Sequence, residues 1–158
     1  MENPLVIIAP PDHELARKRK PIPLSRIQQE TFVVREMDSG TRIAMERFFA
    51  ARGIKLKAGM EMTSNEAIKQ AVEAGLGLGI VSVHTLELEL EARRLVVLNV
   101  EDFPIMRHWY LVHRQGKRLS PVATTFREFL LGDGASMLLK SPVAHPVAKA
   151  AGAPELDA

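Results

Sequence analysis

Apolar positions along this chain fall into short continuous runs and longer helical stripes, taken in turn. Residues 5–9, Leu-Val-Ile-Ile-Ala, read as a buried strand that stops at Pro10-Pro11. A polar connection follows, then a short helix over 24–30 and a strand over 31–35. From 39 to 52, Ala44, Met45, Phe48 and Phe49 recur at helical spacing, and Gly53 ends the run. The stretch 54–62 alternates and reads as strand. Thr63-Ser64-Asn65-Glu66 has the form of a capping box, with the Thr63 hydroxyl as cap and Glu66 reaching back. The helix it opens carries Ala67, Ile68, Ala71 and Val72 on one face and ends at Gly75. Strand 76–82, a short helix over 84–92, strands over 94–100 and 105–114, and a helix opened by Ser120-Pro121 complete the pattern. Residues 132–158 are rich in Ala, Pro and Gly and are expected to be a disordered tail.

Strands that alternate with helices predict an α/β fold, a Rossmann-like, mostly parallel sheet flanked by helices. In such sheets ligands bind beyond the carboxyl ends of the strands, near helix N-termini. Two segments lie at that edge: Ser39-Gly40-Thr41 and Thr63-Ser64-Asn65.

Composition narrows the chemistry. With 46% hydrophobic residues the 158-residue chain is globular, and a formal net charge of +2 is no argument for nucleic-acid binding. The absence of cysteine excludes disulfides, thiolate nucleophiles and Cys-ligated zinc. No stretch approaches the roughly 20 apolar residues of a membrane span. A soluble, cytoplasmic protein with no membrane partner is the expectation. His13, His84, His108, His113 and His145 lack metal-ligand spacing, and no G-x-S-x-G elbow is present, so neither a metal nor a catalytic residue is assigned. No cofactor is assigned either: Gly75 to Gly79 leads from helix into strand, the reverse of a dinucleotide fingerprint, and reads as a helix stop with small strand residues. Glu87, Glu89 and Glu91 are expected on a solvated helix face, and the four-residue run Arg17 to Lys20 is too short to define a DNA-binding surface.

Asp38-Ser39-Gly40-Thr41-Arg42 is the segment with most chemical content. Ser39 is an ordinary helix cap. Gly40 clears space above the helix amides, Thr41 adds a hydroxyl in the first turn, and Arg35 adds charge nearby. Free amides and the positive helix end favour an anion. Taken by themselves these residues leave plain cap and ligand site both open. The geometry of a parallel sheet adds Asn65 and the strand end Val81-Ser82 to the same edge.

The runs NPLVIIAPPDHELA, TFVVREMDSGTRIAMERFFAARGI and MTSNEAIKQAVEAGLGLGIVS resemble the effector-binding domain of LysR-type transcriptional regulators, over about Asn3 to Leu131. The stretches RIAMERFF, NEAIKQAV, HTLELELE and FPIMRHWYLVHRQGKRLSPVATTFREFL resemble the branch that controls the Calvin-cycle (RuBisCO) operon. The resemblance implies a periplasmic-binding-protein-like (type II) fold of two subdomains with a small-molecule effector between them. Mapped onto this chain it implies a partial domain over 1–131. Residues 1–12 would be the crossover strand, 13–112 the second subdomain, and 113–131 the end of the return strand and the C-terminal helix. It also implies that Ser39, Gly40 and Thr41 contact the effector, a small anionic metabolite such as a phosphorylated sugar or a nicotinamide nucleotide. The function implied is effector sensing, not catalysis, in a homodimer or homotetramer that meets DNA only through a helix-turn-helix not found in this chain. A strand that begins almost at residue 1 fits the expectation of a truncated regulator. A free-standing solute-binding domain of the same fold is the competing class, and an export signal, which it would need, is not seen.

Overall fold

The computed structural model describes residues 1–134 and Met137. Its five strands form one sheet in the order β3-β2-β4-β1-β5, where β1 is Leu5–Ala9, β2 Thr31–Arg35, β3 Lys57–Met62, β4 Leu78–Ser82 and β5 Val96–Val97. β2 pairs in parallel with β3 and β4. β1 runs against both β4 and β5. The predicted mostly parallel sheet is therefore a mixed one in which β1 alone points the other way. As a result the start of β1 lies at the carboxyl end of β4, with Leu5 opposite Ser82. Arg35 is level with Met62, so the ends of β2, β3 and β4 form one edge.

Alternation along each strand divides the core in two. Leu5, Ile7, Phe32, Val34, Leu78 and Ile80 face α2 (Gly40–Ala50), which contributes Met45 and Phe49. Val6, Ile8, Val33 and Val81 face α3 (Asn65–Glu73), which contributes Ile68, Ala71 and Val72. Helices thus cover both faces, and every β1 and β4 residue is buried. Short helices α1 (Leu24–Ile27) and α4 (Glu87–Glu91) and a C-terminal α5 (Pro121–Leu131) complete the described elements, with 3-10 turns at Glu14–Arg17 and Val83–Thr85. Gly75 ends α3 in a left-handed conformation, and a Cβ on Gly79 would lie 2.8 Å from Ile68, so the glycine run is a helix stop and a packing site.

Three local expectations are corrected. The cap of α3 is Ser64, whose hydroxyl accepts from Ala67 N at 3.1 Å, not Thr63. Glu66 turns away from the cap to pair with Lys69 at 2.8 Å. Ser64→Ala should therefore cost about 1 kcal/mol in a urea melt, and Thr63→Ala only a few tenths; equal losses would return the cap to Thr63. Second, 105–114 is not a regular strand. It meets residues 1–5 through the isolated bridges Leu5↔Ile105 and Glu2↔His108, then leaves the sheet with Tyr110 and Val112 exposed. Backbone hydrogen bonds to residues 1–5 hold it only as far as Trp109. Third, of Glu87, Glu89 and Glu91 only Glu89 departs from the expected solvated face: it is buried against Lys69 at 2.9 Å, while Leu88 is 70% exposed. Of the predicted tail, all but residues 132–134 and Met137 lies outside the described residues.

Candidate functional site

α2 begins directly beyond the end of β2. Ser39, itself buried, caps it, its hydroxyl accepting from Thr41 N at 3.2 Å. The remaining first-turn amides have no helical acceptor, as at any helix start. The Thr41 hydroxyl takes no partner among the described residues. Two arginines flank this start and both are neutralised. Arg35 makes a two-pronged pair with Glu36, both contacts 2.8 Å, and donates to Asn65 Oδ1 at 3.0 Å. The Glu36 hydrogen bond raises Arg35 above its ordinary pKa, and Arg35 in turn lowers Glu36. Arg42 binds Glu46 at 2.8 Å, Glu61 at 2.7 Å and the carbonyl of Arg35.

Arg107 is different. Its guanidinium lies against the first residue of α2: a Cβ built on Gly40 would meet only Arg107 Nη1, at 3.8 Å. No carboxylate of the described residues pairs with it, its Nε is buried without a partner, and burial pushes its pKa below the ordinary value. A partly desolvated cation therefore lies beside the first residue of α2 with no carboxylate partner among the described residues, and an anion bound there would relieve it. The two line an open groove of about 630 Å³ that also holds Arg47, another arginine without an ion-pair partner among the described residues.

Arg107 is held by the start of the chain. Asn3 N donates to Arg107 O at 2.7 Å, and Trp109 N donates to Met1 O at 2.8 Å. The neighbouring donors orient the Asn3 amide: its oxygen accepts from Arg107 Nη2 at 3.0 Å and Trp109 Nε1 at 2.6 Å, and its nitrogen donates to Ser82 Oγ. Ser82 also receives His84 N at 3.3 Å.

The structure thus joins Ser39, Gly40 and Thr41 to Ser82 through Arg107 and Asn3. Arg35 and Asn65 sit together further along the edge, with the Arg35 guanidinium bound to Glu36 and to Asn65 Oδ1. The Val81 side chain is in the core beneath α3, so it offers no lining side chain. Sequence reasoning did not single out Asn3 or Arg107. The available signals were a polar residue just before Pro4 at a strand head, and a charge inside the apolar stretch Pro104 to Trp109. Among the described residues no group of His, Asp and Glu could hold a metal ion, and no helix is long and apolar enough to cross a membrane.

Comparison with known proteins agrees with this architecture. The LysR substrate binding domain family matches residues 1–135. A RuBisCO operon transcriptional regulator from Allochromatium vinosum is 64% identical over 137 residues, which are 87% of this chain and 45% of that protein. The HTH-type transcriptional activator CmpR of Synechocystis sp. PCC 6803 is 48% identical over 130 residues, 82% of this chain and 42% of CmpR. The chain spans less than half the length of these curated relatives. Among solved structures, the CcmR regulatory domain of Synechocystis PCC6803, in complex with 2-PG, superposes with a TM-score of 0.81 at 39% identity, over 87% of this chain and 65% of that one. A match over nearly all of the described residues, with the two-faced mixed sheet found here, places the chain in the family of LysR substrate-binding domains.

Proposed function

We propose that this chain is the effector-sensing part of a LysR-type transcriptional regulator of carbon-fixation genes, and that it binds a small anionic metabolite between the α2 N-terminus and Arg107. The observation that carries the reading is Arg107, partly buried beside Gly40 with no carboxylate partner among the described residues. The 2-PG (2-phosphoglycolate) bound to CcmR supports a small phosphorylated acid as the first candidate; a sugar phosphate and a nicotinamide nucleotide are the competitors. The role is sensing, not catalysis, and the setting is the cytoplasm. Residues 1–12 and 105–114 act as crossovers to a first subdomain. The exposed apolar residues of α5, among them Val122, Phe126 and Phe129, provide a surface for that subdomain. An anion that binds one subdomain arrangement better shifts the population toward it, and the change reaches DNA through the helix-turn-helix of the longer protein and its dimer or tetramer contacts.

Titration of this chain with 2-PG, followed by amide NMR, tests the reading. Saturable shifts are expected at Gly40, Thr41 and Arg42, and Arg107→Gln should weaken binding by about 1.5–3 kcal/mol, ten- to a hundredfold. Thr41→Val should lose less, since it removes one hydroxyl and no charge. Unchanged affinity in both variants, or shifts confined to other elements, would overturn the site.

A further inference from the structure

We infer that Asn3 determines the charge selectivity of this site: as a neutral amide it holds Arg107, Trp109 and Ser82 in place without cancelling the Arg107 charge. The inference rests on the anion-site reading above. Asn3 is 1% exposed, so its polar atoms have only protein partners to satisfy them. All are satisfied. The oxygen takes two donors, Arg107 Nη2 and Trp109 Nε1, and the amide nitrogen donates to Ser82 Oγ. Its backbone N–H fixes the Arg107 carbonyl, so main chain and side chain together fix the arginine at both ends.

The choice of amide over carboxylate has two consequences. An aspartate of the same shape would accept the same two hydrogen bonds from Arg107 and Trp109. It would also supply the counter-charge that Arg107 lacks, and the site would no longer need an anion. The second consequence falls on Ser82. With Asn3 donating to it and His84 N donating as well, both acceptor positions of Ser82 Oγ are filled, and its hydrogen is left for an acceptor outside the network. A carboxylate in place of the amide would take that hydrogen for itself. The amide thus leaves the Arg107 charge uncancelled beside the first residue of α2, and the Ser82 hydroxyl hydrogen unspent within the network. This is a specificity-determining role, exerted through Arg107 and Ser82.

Asn3→Asp tests it, because it changes charge at constant shape. Trp109 is the only tryptophan in the chain, so its indole N–H gives a single resonance that reports the state of the network. The probe is 2-PG, titrated into the whole chain. In Asn3→Asp the indole resonance should stay in its hydrogen-bonded position and thermal stability should hold or rise, while 2-PG affinity falls by about tenfold or more. Ser82→Ala is the second variant, for use if Asn3→Asp does not fold. It should keep the indole resonance and lose about three- to tenfold in affinity. If wild type binds 2-PG and Arg107→Gln loses it, but Asn3→Asp keeps affinity within twofold, the selectivity role is overturned and the anion site stands. If Asn3→Asp does not fold and Ser82→Ala binds like wild type, the same conclusion follows. If wild type itself shows no saturable shift at the α2 amides, the site reading fails, and the inference with it.

Discussion

Lys69→Met will destabilise the domain by about 3–5 kcal/mol, near the lower end of that range, because it strands a buried carboxylate. Lys69 Nζ has three hydrogens and three acceptors: Thr85 O at 2.8 Å, Glu66 at 2.8 Å and Glu89 at 2.9 Å. Glu89 is as buried as Lys69, and its Oε2 already has no partner. Among the described residues the one other cation in reach is Arg94, 4.0 Å away and half exposed, which can swing closer and recover part of the loss. The double variant Lys69→Met with Glu89→Leu should regain most of the stability, since both charges are then replaced by apolar groups of similar size. Urea melts of the single and double variants give both numbers. A single-variant loss under 1 kcal/mol, or a double variant no better than the single, would show that the pair is not what holds α4 to α3. Desolvation pulls the Lys69 pKa down, but its hydrogen bonds to Glu66 and Glu89 outweigh it and leave the pKa raised. Stability from a raised lysine is fully present below its unfolded value and is lost as pH climbs through the folded one. The advantage of wild type over a Lys69 variant should accordingly shrink only under strongly alkaline conditions.

That ion pair also shows where reading the chain stops. Glu89 sits among alternating Leu and Glu, and from spacing alone nothing separates the glutamate that is buried from those beside it. The partner that decides it lies on another helix. The same holds at the candidate site. Ser39 as cap was legible because a cap is a local event between residues two apart. Strand β2, the helical stripe of Met45 and Phe49, and the glycine stop at Gly75 were legible for the same reason. Arg35 looked like the site's cation because it precedes the loop, yet it is bound by the adjacent Glu36. The cation left without a carboxylate, Arg107, comes from the far end of the chain and is placed by Asn3, so neither signals its role locally. The antiparallel entry of β1 brings them together, and it was β1's direction that periodicity left undetermined.

The β2–β4 contact that aligns this edge is short, two residue pairs, Phe32 with Leu78 and Val33 with Gly79. Gly77 stands at its start, and Gly77→Ala is expected to cost about 2–6 kcal/mol. Its φ of +146° is a conformation that residues with a Cβ rarely adopt, worth about 1–3 kcal/mol of strain. A Cβ there would also lie 2.6 Å from the carbonyl oxygen of Thr31, a backbone atom of the neighbouring strand. No rotamer change relieves that contact; β4 must move away from β2, and overpacking of this kind costs a further 1–3 kcal/mol or so. Gly75→Ala is the matched control. Its φ of +76° is also left-handed, but a Cβ would meet nothing within 4 Å, so only the conformational cost of about 1–2 kcal/mol remains. The difference between the two variants in a urea melt isolates the steric contribution. Because β4 carries Ser82 to the site, Gly77→Ala should also shift the Trp109 indole resonance, which Gly75→Ala should leave in place. Equal stability losses in the two variants would mean that β4 can slide past Thr31 freely, and that this edge of the sheet does not fix the positions of Ser82, Asn3 and Arg107.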